Sequence, residues 1–357
     1  MNMSTRPGLS IGPLLFRSPR DEGPEKRRIM VIGRPSGARS EQKSASKGAD
    51  NSTMKSPLCF QVPEKKRIRM IVDTDCKNEA DDQFALAHHL MTPMFEVKGI
   101  IAAHFEKGRP DLRGKTMMAS YEEINLMLDL MELKGEVPVL KGCPEALPDE
   151  HTPVESEGAR FIVEEAMKED PKPLFIALQG AITDLASALL MEPKLADRLT
   201  AVWIGGDKYP EGGDEFNLKQ DIAAANVVFA SGVEVWQVPK SVYKMMNISL
   251  SELQARVYPC GKVGRYLVEQ MVALIDFCAD YPWPHGETWC IGDQPTVGVL
   301  LEDKERQNYT MWPAPRVRED CTYELRPDGR KIRVYDTIDA RLTLEDFYAK
   351  LALFFRE

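Results

Sequence analysis

Between residues 70 and 86 the chain reads MIVDTDCKNEADDQFAL, which places Asp73, Asp75, Glu79, Asp81 and Asp82 within ten positions. These side chains are oxygen donors and proton acceptors. Two carboxylates about 4 Å apart repel by roughly 4 kcal/mol at an effective dielectric near 20, so gathering several at one point requires a bound positive charge. No cysteine pair and no HExxH spacing lies nearby. The donor set therefore predicts a hard cation, Ca²⁺ or Mg²⁺, rather than zinc.

Any one of these acids alone would read as a helix start, where the macrodipole favours negative charge. The group as a whole follows an apolar strand (Ile68, Met70, Ile71, Val72) and runs into an apolar helix (Phe84, Ala85, Leu86). A strand end meeting a helix start is the geometry of a site. An EF-hand loop starting at Asp73 fails, because Lys77 and Asn78 stand at its fifth and sixth positions and Phe84 at its twelfth. A phosphatase using the first Asp of Asp-x-Asp as nucleophile stays open on these residues alone. Cys76 lies among charges that discourage a thiolate and is not read as a nucleophile.

The elements that must position the acids follow from periodicity. Strands are expected at 67–75, 96–104, 173–180, 200–206 and 233–239, each ending where polar residues appear, with helical patterns filling the gaps between them. Such alternation predicts an α/β fold: a mostly parallel open sheet flanked by helices, with ligands at the carboxyl ends of the strands. After residue 285 the pattern changes. "ETWCIGDQPTVGVLLED" reads as a loop entering a helix, "CTYELRPDGRKIRVYDTIDARL" as a small antiparallel hairpin turning at "PDGR", and "LEDFYAKLALFF" as a final helix.

Residues 1–66 are rich in Ser, Pro, Gly, Lys and Arg and are expected to form a disordered extension to one domain at 67–357, with Met54 a possible start of the working protein. The net charge of −9 argues against nucleic acid as a partner. No stretch reaches the roughly 18 apolar residues of a membrane span. Seven scattered cysteines without a CxxC spacing fit a reducing, cytoplasmic setting.

Four segments in order carry a resemblance to a known family. "MIVDTDCKNEADDQFAL" resembles the Asp-x-Asp-Pro-Gly-x-Asp-Asp loop of the inosine-uridine-preferring nucleoside hydrolases, with Asp73, Asp75, Asp81 and Asp82 in its acidic positions. "LFIALQGAITDLASAL" is similar to the family's strand, Gly-Pro-Leu-Thr-Asn turn and helix. "WIGGDKYPEGGDEFNLKQDIAAANVVF" resembles its Gly-Gly, Glu-Phe-Asn and Asp-x-x-Ala-Ala run, and "WCIGDQPTVGVLL" its late His-Asp-Pro segment. The match spans roughly residues 67 to 300.

The resemblance implies hydrolysis of the N-glycosidic bond of a nucleoside or related riboside by water activated on calcium. Asp75, Asp82, Asp293 and the carbonyl of Gln179 would hold the ion, and Asp75 would take the proton of the water. Asp81, Glu215, Asn217 and Asp293 would hold sugar hydroxyls, while Asp73 would orient the cluster from behind. A homo-oligomer is expected. The chain departs from the family in three places. The acid loop is two residues longer and lacks Pro-Gly, and the family's His before the late Asp is Gly292. The sugar-contacting Asn residues fall near Tyr209 and near His104 to Glu106. Asn78 and Glu79, which are peculiar to the longer loop, are assigned polar sugar contacts from their position between ligand aspartates. Among the histidines, His104 at a strand end and His285 beside Trp283 and Trp289 are better placed for a role than His88 and His89 on the first helix. A non-catalytic riboside or sugar binder of the same fold and the Asp-nucleophile phosphatase are the alternatives.

Overall fold

The computed structural model describes residues 56–282, 285–327 and 329–356. These all fall in one compact unit, Asp50–Glu357. The expectation for the N-terminal extension therefore lies, for residues 1–55, outside the described residues. After a short 3-10 turn at Glu64–Lys66 the chain enters β1 (Ile68–Thr74), α1 (Asp82–Met91), β2 (Phe95–Ala102), α2 (Thr116–Leu130) and β3 (Val139–Lys141). It continues through α3 (Glu157–Ala166), β4 (Leu174–Leu178), α4 (Thr183–Met191), β5 (Leu199–Ile204), α5 (Phe216–Gln220), α6 (Ile222–Ala230) and β6 (Glu234–Val238). Then follow α7 (Lys240–Tyr243), β7 (Asn247–Ser249), α8 (Leu250–Arg256), α9 (Gly261–Phe277), β8 (Thr288–Cys290) and α10 (Pro295–Leu301). β9 (Tyr309–Pro313), β10 (Arg316–Val317), β11 (Tyr323–Glu324), β12 (Lys331–Tyr335) and α11 (Ala340–Phe355) complete it.

The main sheet has eight strands in the order β3-β2-β1-β4-β5-β6-β12-β9. All pairings within it are parallel except β12 with β9. The five strands expected from periodicity are all present, within two residues at each end. The C-terminal antiparallel pairs are present too, with one change of partner. The two arms expected around "PDGR" do not pair with each other: Tyr323–Glu324 pairs with Arg316–Val317, and Lys331–Tyr335 joins the main sheet between β6 and β9. Ile332 and Val334 point to one core and the buried Tyr335 to the other, so β12 has two faces to bury, and the main sheet covers both whereas a lone hairpin would cover one.

β1 is buried along its whole length, as a central parallel strand must be. Its side chains alternate between two cores. Met70 and Val72 pack with α1, α2, α9 and α11, and Ile71 packs with α3, α4 and α6. The chain proceeds from β1 to β2 on one side and later returns to β4 on the other, so the strand order reverses between β1 and β4. A crevice opens outside the carboxyl ends at such a reversal. Asp75 leaves β1 there and Gln179 leaves β4 there. Among the described residues no helix is long and apolar enough to cross a membrane.

α1 holds the acid loop against this crevice by its apolar face. Phe84, fully buried, meets the fully buried Phe347 of α11 with ring centroids 5.8 Å apart. Truncating Phe84 to Ala is expected to lower the free energy of unfolding by about 3–5 kcal/mol, read as a shift of the urea midpoint.

Candidate active site

Strand parity sorts the acids. Thr74 shares the face of Met70 and Val72, and its hydroxyl donates to Asp82 Oδ1 on α1 at 2.5 Å. Asp73 shares the face of Ile71, toward α4, where the charge of Asp184 acts on it. Both Asp73 oxygens are buried without a hydrogen-bond partner, while Asp184 accepts from Ser156 Oγ at 2.7 Å and from Cys143 N. Asp73 therefore stands behind the crevice, whereas Asp75 turns into it. Asp75 Oδ2 is buried and also lacks a partner. The turn after β4 passes so close that a Cβ on Gly180 would sit 2.9 Å from Asp75 Cγ. Only glycine permits that approach.

Asp81 occupies the N-cap position of α1 but makes no side-chain cap bond. Its Oδ2 instead accepts the backbone N–H of Gly292 at 2.9 Å, across 211 residues of sequence. That bond draws the 290s loop to the acid loop. Carboxylate oxygens of Asp81, Asp82 and Asp293 consequently all lie within 4.8 Å of one another, each residue buried. Asp75 joins the group by charge, since Asp82, Asp81 and Glu79 all act on its carboxylate. The structure thus brings together Asp75, Asp81, Asp82 and Asp293, with Glu79 alongside.

Burial pushes these carboxyls up, and neighbouring negative charges add to it at Asp75, Asp82, Glu79 and Asp293, whereas backbone N–H groups including that of Gly292, and the Lys244 charge, hold Asp81 back. Asp75 and Asp293 rise well above the ordinary range, Asp82 and Glu79 to about 8, and Asp81 to about 6. No lysine or arginine among the described residues hydrogen-bonds to Asp75, Asp81, Asp82 or Asp293. Exposed Lys244 acts on Asp81 and Glu79 through its field alone. Buried acids without a counter-charge, one of them with an orphaned oxygen, fit a hard divalent cation.

Glu215 and Asn217 begin α5. Glu215 Oε2 accepts from Gly206 N and Leu218 N, each at 2.8 Å, and Oε1 accepts from the Tyr243 hydroxyl at 3.0 Å. Asn217 Nδ2 donates to the carbonyls of Ile204 at 2.9 Å and Gln179 at 3.3 Å. A carbonyl has two lone pairs, so Gln179 keeps one for an ion. Asn78 lies beside the 105–109 loop, where a Cβ on Gly108 would come 3.2 Å from its Oδ1. The long acid loop is anchored on several sides. Lys77 Nζ donates to Glu123 of α2 at 2.7 Å, Gln83 Nε2 to the Cys76 carbonyl at 2.6 Å, and Gln270 Nε2 of α9 to the Ala80 carbonyl at 2.8 Å.

Sequence reasoning missed several of these partners. Tyr243 is the first: a Cβ on Gly292 would lie 2.9 Å from Tyr243 Cδ2, so the tyrosine ring covers the spot where a side chain at 292 would begin. No local signal marks it. Thr74, between two aspartates, and Thr296, a polar residue at the head of an apolar run, were also missed. His88 and His89, expected to contribute little, are both fully buried and bonded to the 290s segment, at Gln294 Oε1 (2.6 Å) and Thr296 Oγ1 (3.0 Å) respectively. His104 is buried and bonds Thr183 Oγ1 at 2.9 Å, with burial lowering its pKa to about 4. His285 is exposed. Cys76 is fully buried, and burial with the nearby Asp82 charge pushes its thiol up.

Comparison with known proteins agrees with this geometry. The inosine-uridine preferring nucleoside hydrolase from Leishmania major is 26% identical over 258 residues, covering 64% of this chain and 77% of that one. The solved purine-preferring ribonucleoside hydrolase from Gardnerella vaginalis superposes with a TM-score of 0.63 at 18% identity, covering 80% of this chain and 98% of that one. The type III effector protein XopQ, solved with adenosine diphosphate ribose, gives a TM-score of 0.60 at 14% identity, covering 81% and 94%. The family profile described as inosine-uridine preferring nucleoside hydrolase matches residues 70–339, three-quarters of the sequence. With the acid crevice at the strand-order reversal, that match makes the chain a member of the inosine-uridine preferring nucleoside hydrolase family and an N-glycosyl hydrolase.

Proposed function

We propose that this enzyme hydrolyses the N-glycosidic bond of a ribonucleoside or related riboside with the help of a calcium ion held by Asp75, Asp82, Asp293 and the Gln179 carbonyl. The observation that carries the reading is the mutual approach of Asp81, Asp82 and Asp293, buried and without a cationic partner. A mixed set of carboxylates and one backbone carbonyl suits the larger, more flexible shell of Ca²⁺ better than the strict octahedron of Mg²⁺. The bound ion supplies a more acidic water and a positive point for sugar hydroxyls.

The chain's own residues do the rest. Asp75 receives the proton of the attacking water, for which its unpartnered Oδ2 is free. Asp81 holds a sugar hydroxyl, with its other duty, the Gly292 N–H, fixing its direction. Glu215 is held rigid by three donors and accepts from the sugar, with Asn217 beside it. Asn78 and Glu79 add polar contacts from the long loop, and Asp73 steadies Asp75 from behind. The negative field of the group favours the positive charge that develops on the ribosyl carbon as the base departs. A cytoplasmic homo-oligomer completes the reading, and the presence of seven free cysteines is in keeping with a reducing compartment.

Reducing-sugar release from a panel of purine and pyrimidine nucleosides, with adenosine diphosphate ribose included, separates this reading from a non-catalytic binder. The binder would show calorimetric affinity and no release. Asp75→Asn, assayed at saturating calcium, is expected to lower kcat by about 10²–10⁴-fold, and wild-type turnover in that variant would remove Asp75 as the base.

The raised carboxyl pKa values set a pH dependence. With no ion present, the folded chain holds more protons than the unfolded chain between about pH 4 and about pH 8, so its stability falls as pH rises through that window. The unfolding temperature of chelator-treated protein is expected to drop from pH 5 to pH 8. Added calcium should recover more at pH 8 than at pH 5, because it replaces those protons. Equal recovery at both pH values would contradict a cation bound by these groups.

A further inference from the structure

Three segments that are remote in sequence meet at one oxygen atom. The Thr296 hydroxyl, in the first turn of α10, donates to the Asp293 carbonyl at 2.7 Å. It accepts from Gln179 Nε2 at 2.9 Å and from His89 Nε2 at 3.0 Å. A hydroxyl has one proton and two lone pairs, so these three bonds use its whole capacity. Thr296 and His89 are fully buried, Gln179 is 1% exposed and Asp293 4%.

The three segments are those that carry the candidate ligands. α1 begins with Asp82 and reaches the hydroxyl through His89. The end of β4 offers the Gln179 carbonyl and reaches it through the same residue's side-chain amide. The 290s loop carries the Asp293 carboxylate and reaches it through its own backbone carbonyl. We propose that Thr296 is a positioning residue whose hydroxyl sets the spacing of Asp82, Gln179 and Asp293 without touching ion or substrate. The proposal rests on the calcium reading above.

The surroundings support a fixed joint. His89 packs on Phe95 with ring centroids 5.4 Å apart, which orients its Nε2 toward the threonine. The preceding His88 grips the neighbouring residue Gln294 at 2.6 Å and Asp346 of α11 at 2.8 Å. Consecutive histidines therefore hold positions 294 and 296, directly after Asp293. Thr296 also donates its backbone N–H to the Asp293 carbonyl at 3.0 Å. That bond survives loss of the hydroxyl, so the local turn persists in Thr296→Val while Gln179 Nε2 and His89 Nε2 lose their acceptor.

The test is calcium bound at equilibrium dialysis to the full chain, together with the unfolding temperature, for wild type, Thr296→Val and Thr296→Ser. Thr296→Val is expected to weaken calcium binding by about 10–100-fold while remaining folded with a lowered unfolding temperature in the absence of calcium, since two buried donors lose their acceptor, and Thr296→Ser, which keeps the hydroxyl, to bind like wild type. Wild-type affinity in Thr296→Val overturns the proposal alone. Failure of the wild-type protein to bind calcium overturns the calcium reading and this proposal with it. Should Thr296→Val not fold, Gln179→Met and His89→Phe each remove one arm. Weaker calcium binding in both upholds the joint, and wild-type affinity in both overturns it.

Discussion

Mutual repulsion among buried carboxylates is the constraint on which the rest of this structure depends. Asp75, Asp81, Asp82 and Asp293 meet at the reversal of strand order between β1 and β4, with burial and one another's charge opposing ionisation. A fold that only sought stability would disperse such groups. Here the sheet ends, the start of α1 and the 290s loop all converge on them, and the bonds that fix them come from neutral donors: the Thr74 hydroxyl and the Gly292 N–H. Neutral donors hold the acids in place without cancelling the charge that a cation must meet.

The scaffold answers this strain with stiffness. β1 is covered on both faces, and β4 lies close enough beside it that Gly180 admits no side chain. The long acid loop, a natural place for mobility, is tied to α1, α2 and α9 through Gln83, Glu123 and Gln270. Glu123 is itself a shared point. It accepts from Lys77 and Gln83 and from the Tyr266 hydroxyl, so three elements answer to one buried acid. Pre-set ligand geometry lowers the reorganisation needed when an ion or a transition state arrives.

The surroundings of position 292 are where this chain differs from the family pattern. Position 292 carries no imidazole, and the Tyr243 ring lies over it while the Tyr243 hydroxyl bonds Glu215. Glu79 from the longer loop and Lys244 from the end of α7 stand near the same acids. The four aspartates of the acid group are thus present in one crevice, while the surroundings of position 292 carry other side chains.

Much of the fold was legible in the sequence because periodicity is a local property. The strands at 68–74, 95–102, 174–178, 199–204 and 234–238 each announce themselves by apolar runs ending in polar residues, and the acid cluster declares its chemistry through residue type and spacing. Partner choice was not legible, because it depends on which surfaces remain to be covered once the chain is compact. That is why Lys331–Tyr335 joined the main sheet rather than its sequence neighbour, and why the Asp81 carboxylate, at a helix start, bonds Gly292 instead of capping the helix. The sequence by itself determined the class of fold, the oxygen donors and the family. Only the tertiary structure decided that Asp73 faces Asp184, that Tyr243 lies against Gly292 and that His89, Gln179 and Asp293 share one threonine hydroxyl, since each is a contact between segments whose separation along the chain carries no information about their distance in space.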